Sequence, residues 1–158
     1  SKLLSKYKNV KINLVSPNAL AMPDSVIDTL ENAGHHVRIS DKMEQNIDAD
    51  IVYQTRIQEE RFESQDEANK YRGQFRLNNE IYTKYCKSNT VIMHPLPRDS
   101  RSDANELDND LNQNPNLAIF RQADNGVLIR MALFALTLGV ADKVDTYRCD
   151  VPWVTSKS

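Results

Sequence analysis

Three stretches of this chain gather residues able to grip a small anionic molecule. The stretch Thr55-Arg56-Ile57-Gln58-Glu59-Glu60-Arg61 sets two arginines, a glutamine and two carboxylates side by side. His94-Pro95-Leu96-Pro97-Arg98 ends in an arginine after two closely spaced prolines. Arg121, Gln122, Asn125, Gly126 and Arg130 come further along. A guanidinium is a planar fork that meets a carboxylate in two bonds, and glutamine adds an orientable donor and acceptor. Glu59 and Glu60 are placed to hold such forks. A set of this kind, without a base–nucleophile pair, suits binding of a carboxylate-bearing small molecule. On residue types alone, the 55–61 stretch also reads as a solvated helix start laced with salt bridges. Arg130 sits inside an apolar run, where a charge needs a partner; it is either half of a structural ion pair or a site residue. His94 ends an apolar strand beside a proline, which favours a satisfied structural histidine over a catalyst. His35 and His36 come after a glycine turn and are expected to be exposed.

Positioning these residues requires strands that end where they begin. Val91–Met93 is a short apolar run, and Pro95 and Pro97 cannot donate to a sheet ladder, so a strand must stop there. Each proline holds the preceding residue extended, and either X-Pro bond can be cis. Alternation predicts further strands at Val10–Val15, His36–Ser40, Asp50–Gln54 and Leu117–Phe120, with Thr90–Met93 the fourth of five. Helical spacing predicts helices over Ala19–Ala33, closed by Gly34, and over Asn78–Cys86. Asp41–Asp48 reads as a short acidic helix or loop, and 55–73 loses its pattern. Asp99–Pro115 is Asn/Asp-rich and reads as a mobile surface segment with at most a short helix at Ala104–Leu111. Asp124–Val140 is apolar all round, which reads as a buried helix. Strands alternating with helices imply an α/β fold: a doubly wound, five-stranded parallel sheet with helices on both faces, Rossmann-like. Three strand exits would then converge on one cleft at the carboxyl edge.

The 158 residues fit one domain. With 27% charged residues and a formal net charge of −2, nothing argues for nucleic acid or an anionic membrane as partner. The apolar 124–140 segment carries Arg130 and falls short of the ~20 apolar residues of a membrane span. Cys86 and Cys149 lack metal-like spacing and read as free thiols in a reducing, cytoplasmic compartment. No metal cluster, calcium loop, Ser-His-Asp spacing, GxGxxG or P-loop is present in the sequence. The first strand ends in Ser16-Pro17-Asn18 rather than glycines, which argues against a nucleotide cofactor. Ser1-Lys2-Leu3-Leu4 starts without Met, as a fragment of something longer would.

Taken together, YQTRIQEERF (Tyr53–Phe62), VIMHPLPR (Val91–Arg98) and FRQADNGVLIRMAL (Phe120–Leu133) resemble the aspartate carbamoyltransferases, specifically their carboxyl-terminal, aspartate-binding domain. VSPNALAMP (Val15–Pro23) fits the same domain, and the likeness runs from about Leu4 to Gly139. The resemblance implies transfer of the carbamoyl group of carbamoyl phosphate to L-aspartate in pyrimidine biosynthesis, with no metal or organic cofactor. It implies residues 1–140 as the aspartate-binding domain, 141–158 as a tail, and a homotrimer once the amino-terminal carbamoyl-phosphate domain is joined. Carried over by residue, Arg56 would grip the aspartate side-chain carboxylate, with Gln58 beside it. Glu60 would hold Arg56, and Arg61 would tie the two domains together. Pro95, Leu96 and Pro97 would contact the carbamoyl group through main-chain atoms across a cis Leu-Pro bond, and Arg130 would lie near the active site.

The sequence also departs from the family. Its phosphate motif, catalytic histidine and basic loop are missing, and so is the Arg-Thr pair that grips the second aspartate carboxylate. After Arg98 the family's Val-Asp-Glu-Ile is replaced by Asp-Ser-Arg-Ser-Asp-Ala. Alone, the chain is expected to be inactive and to expose an apolar patch near Leu128, Met131 or Phe134, or to self-associate through it. A non-catalytic assembly or regulatory module derived from a carbamoyltransferase is the alternative. A carbamoyltransferase for another amino acid is disfavoured by TRIQ and by the absence of an SMG signature.

Overall fold

The computed structural model describes residues 2–144 and 146. Trp153, Cys149 and most of the 141–158 tail lie outside the described residues. The chain divides into two compact units, Ser1–Ile119 and Phe120–Ser158.

The first unit is α/β. Strand β1 (Lys11–Val15) pairs in parallel with β2 (His36–Ser40), in register from Lys11↔His36 to Val15↔Ser40. Helix α1 (Asp24–Asn32) makes the crossover, starting after Pro23 as proline's missing N–H allows. It ends where Gly34 turns left-handed at φ 83°, with the Gly34 and His35 N–H groups returning to Glu31 O and Leu30 O. That pair of bonds is a Schellman close, which a glycine enters without the Cβ clash. It also places His35 beneath the first turn of the chain. There its ring accepts from Val10 N–H at 3.2 Å and meets Leu4 O at 2.9 Å. His35 is therefore buried, against the expectation of exposure; a glycine turn sets the direction of the backbone, not the burial of the next side chain.

The second parallel pair joins β3 (Ile51–Tyr53) to β4 (Val91–Met93), with helices α2 (Gln65–Asn69) and α3 (Asn79–Tyr85) between them. Asn78 caps α3 by accepting from Ile81 N–H at 2.8 Å, and Ser64 caps α2 through Glu67 N–H. The five-stranded ladder is not continuous among the described residues, which form two two-stranded sheets. The expected fifth strand is reduced to a parallel bridge between Leu117 and Ile92. Helix α4 (Ile119–Thr137) begins two residues later, so Arg121 and Gln122 lie inside a helix and not at a strand exit.

Polar composition misleads most at 99–115. This segment is anchored: Leu107 bridges Leu77, Leu77 N–H donates to Glu106 O at 2.8 Å, and Asp108 N–H donates to Leu77 O at 2.9 Å. Asp110 accepts the Asn79 N–H at the start of α3. A one-turn 3₁₀ helix at Asn109–Gln113 seats Leu111. Leu77, Ile92, Leu107, Leu111 and Ile119 form the centre of the core, each burial worth about 1.5–3 kcal/mol. A few leucines suffice to anchor a polar loop when a neighbouring segment offers backbone partners.

In the second unit, α4 is apolar around its whole circumference yet exposed. Leu128, Met131 and Phe134 are 64%, 62% and 66% accessible, so the helix is not buried as its composition suggests, and the expected apolar patch is present. An apolar sequence states what a helix can bury; burial also needs a covering surface. Among the described residues no helix is long and apolar enough to cross a membrane.

Candidate functional site

Because β3 and β4 run parallel as neighbours, the segments leaving them start at the same edge. Thr55–Arg61 leaves β3 and His94–Arg98 leaves β4.

The first segment presents Arg56 as a held fork. Its Nη1 and Nη2 donate to the two oxygens of Glu60 at 3.0 and 2.7 Å, and Nη1 also donates to Ile57 O at 3.2 Å. The pair is solvent-exposed. The Glu60 hydrogen bonds hold Arg56 above the ordinary arginine pKa against some desolvation, with weaker attraction from Asp99 and Glu106. Gln58 is half-buried ahead of the 3₁₀ turn Glu59–Arg61, and Arg61 is exposed. Glu59, not Glu60, is the hub of a larger network. It accepts from Arg72 Nε and Nη2 at 3.0 Å each, and from Arg101 Nη2 and Nη1 at 2.9 and 3.3 Å. Arg72 also reaches Asp103, and Arg101 reaches Asp99. The Arg72 bonds and then the Arg101 bonds pull the Glu59 carboxyl down to about 2; Arg101 does the same for Asp99.

The second segment is built the opposite way. Its Leu96–Pro97 bond is cis, and Leu96 sits at φ 53°, a left-handed conformation that costs a branched residue about 1–2 kcal/mol. Buried His94 offsets that penalty: its Nδ1 accepts Leu96 N–H at 2.9 Å, which leaves Nε2 to carry the proton it shares with Glu106 at 2.6 Å. Buried Glu106 in turn accepts Asp99 N–H at 3.2 Å. One imidazole and one carboxylate thus tie down two N–H groups of the loop. Burial pushes the Glu106 carboxyl up, but the His94 bond and the backbone bonds outweigh it and the net direction is down. Glu106 was invisible in the sequence because it lies among acidic and amide residues that read as solvated. Pro95 and Pro97 are exposed, and a concavity of about 660 Å³ lies against Leu96, Pro97 and Arg98.

The structure therefore brings Arg56, Gln58 and Glu60 to the edge that carries Pro95, Leu96 and Pro97. Arg130 belongs to the second unit, exposed on α4, with Nη1 3.4 Å from where a Cβ on Gly126 would stand. It makes no ion pair among the described residues, so the structural-pair alternative has no support there.

Known proteins share this sequence and fold. The chain matches the model of the aspartate/ornithine carbamoyltransferase Asp/Orn-binding domain over residues 2–137. It is 65% identical over 98% of its length to the aspartate carbamoyltransferase catalytic subunit of Cellvibrio japonicus, covering 46% of that protein. It is 61% identical to that of Saccharophagus degradans, covering 47%. Among solved structures, the Trypanosoma cruzi aspartate transcarbamoylase bound to N-(phosphonacetyl)-L-aspartic acid aligns with a TM-score of 0.70 at 28% identity, over 84% of this chain and 42% of that one. The catalytic subunit of M. jannaschii aspartate transcarbamoylase aligns with a TM-score of 0.70 at 31% identity, over 89% and 44%. The chain spans about half the length of the relatives it matches. On the family match and these identities, the chain belongs to the aspartate/ornithine carbamoyltransferase family, as its Asp/Orn-binding domain.

Proposed function

We propose that this chain is the aspartate-binding half of an aspartate carbamoyltransferase. Residues 1–140 form the domain and 141–158 its tail. The complete enzyme joins it to an amino-terminal carbamoyl-phosphate domain and works as a homotrimer in the cytoplasm. In that setting the sheet takes the five-stranded, doubly wound, Rossmann-like form, for which the two parallel pairs and the Leu117–Ile92 bridge are a partial ladder. The observation that carries the reading is the Arg56–Glu60 fork leaving β3 beside the proline loop leaving β4.

Arg56 grips the side-chain carboxylate of L-aspartate with Gln58 beside it, and so aims the substrate amine. Glu60 keeps the fork oriented. Carbonyl oxygens of Pro95, Leu96 and Pro97 accept from the carbamoyl NH2. The amine nitrogen forms a bond to the carbamoyl carbon, the carbon–oxygen bond to phosphate breaks, and an amine proton is released. N-carbamoyl-L-aspartate and phosphate result. Positioning supplies the rate here, since reactants held in register avoid the entropy of encounter. Arg61 ties this domain to the other, Arg130 belongs to the substrate-binding set near the active site, and the exposed apolar face of α4 suits a covering surface in the complete enzyme. The test is product analysis. The 158-residue chain should give no product from carbamoyl phosphate and aspartate. The complete polypeptide should form N-carbamoyl-L-aspartate and leave ornithine unmodified. Turnover by the isolated chain, or preference for ornithine, refutes the reading.

A further inference from the structure

Between Arg98 and Glu106 the chain makes an excursion whose side chains return to the β3 exit. Arg101 lies at its centre. It donates to Asp99 through Nε at 3.0 Å and Nη2 at 2.6 Å, and to Glu59 through Nη2 at 2.9 Å and Nη1 at 3.3 Å. Two bonds from one guanidinium thus cross to the 55–61 segment, while its others hold Asp99 at the end of the proline loop. Arg72 doubles the hold on Glu59 and ties Asp103 of the same excursion. Glu59 is linked onward to the clamp. Its N–H donates to Ile57 O at 3.0 Å, the same carbonyl that accepts from Arg56 Nη1 at 3.2 Å. A continuous path therefore runs from Asp99 through Arg101, Glu59 and Ile57 O to the Arg56 guanidinium. Glu59 and Asp99 are largely shielded, with 16% and 15% of their side chains accessible, so the path is less screened than a free surface pair.

We propose that Arg101 is a positioning residue for the aspartate clamp: by strapping Asp99 to Glu59 it fixes the separation between the Arg56 fork and the carbonyls of Pro95–Pro97. This rests on the function proposed above. Arg101 touches no substrate; it acts through Glu59 and Ile57.

The experiment uses the complete polypeptide, with Arg101→Ala, Arg101→Lys and Glu59→Gln compared with Arg56→Ala. Arg101→Ala should raise the aspartate KM about five- to tenfold, the scale of losing a pair of charge-assisted bonds, while the carbamoyl phosphate KM stays unchanged. Arg101→Lys should recover only part, because an ammonium cannot reproduce the fork. Glu59→Gln should act in the same direction, and the double variant should be no worse than the poorer single one. An unchanged aspartate KM in Arg101→Ala, with Arg56→Ala severely impaired, overturns the strap and leaves the function standing. Equal rises in both KM values with a lowered Tm reduce Arg101 to general scaffolding and also overturn it. If Arg56→Ala itself binds aspartate normally, the functional reading falls, and the strap with it.

Discussion

The two segments leaving β3 and β4 are fixed by opposite physics. At 94–99, backbone geometry is locked by prolines and by a buried imidazole–carboxylate pair that fills the hydrogen-bond needs of Leu96 and Asp99. At 55–61, one side chain is held by an exposed, solvent-screened ion pair. A site that uses main-chain carbonyls needs a rigid chain, and burial supplies rigidity because an unpaired polar group there is costly. An exposed pair of this kind is worth little to the fold, so it orients the fork without locking the chain around it.

Substitutions separate the two regimes. The largest effect belongs to Arg56→Ala in the complete polypeptide. Aspartate affinity should fall about 100-fold or more, from loss of a bidentate carboxylate contact, with the urea midpoint unchanged. Calorimetric titration with aspartate measures the first and a denaturation curve the second; a shifted midpoint with retained affinity would erase the contrast. Glu106→Ala should do the reverse and lower unfolding free energy by about 2–4 kcal/mol, since it orphans the His94 and Asp99 donors. Glu106→Gln, which keeps an acceptor, should recover part of that. A smaller change is expected for Glu60→Gln, a rise of roughly threefold in aspartate KM, because the fork is less firmly aimed while one arm keeps an acceptor. The smallest is a pH effect on the strap. Glu59 and Asp99 are both depressed to about 2 in the folded chain, below their unfolded values near 4. Their contribution is complete above the unfolded values and fades as pH falls from about 4.5 toward 2. Urea midpoints at pH 6 and pH 3 should differ less for Glu59→Gln than for the unaltered chain; equal differences would show that Glu59 gains nothing from its arginines.

The sequence carried its local signals well. The first four strands and the Gly34 stop are accounted for by alternation, helical spacing and turn chemistry. Long-range partners were not legible. Leu107 and Leu111 look too sparse among asparagines and aspartates to anchor anything until Leu77 is seen opposite them. Leu117–Phe120 has strand composition, yet only Leu117 finds a bridge and the helix starts at Ile119. In the candidate site, the Arg56–Glu60 pair was legible through the family resemblance. Glu59–Arg101, separated by 42 residues, left no such trace, and neither did His94–Glu106.

The stretch Pro95-Leu96-Pro97 has one further consequence. Two of its residues have no N–H to offer, and the third gives its N–H to His94, so its main chain can only accept. Such a stretch sorts visitors by polarity. A group turning hydrogens toward it is attracted, a methyl gains nothing, and an oxygen lone pair is repelled. In the function proposed above, an amide-ended molecule would thereby be told apart from acetyl and carboxyl look-alikes of the same shape before any bond is made or broken.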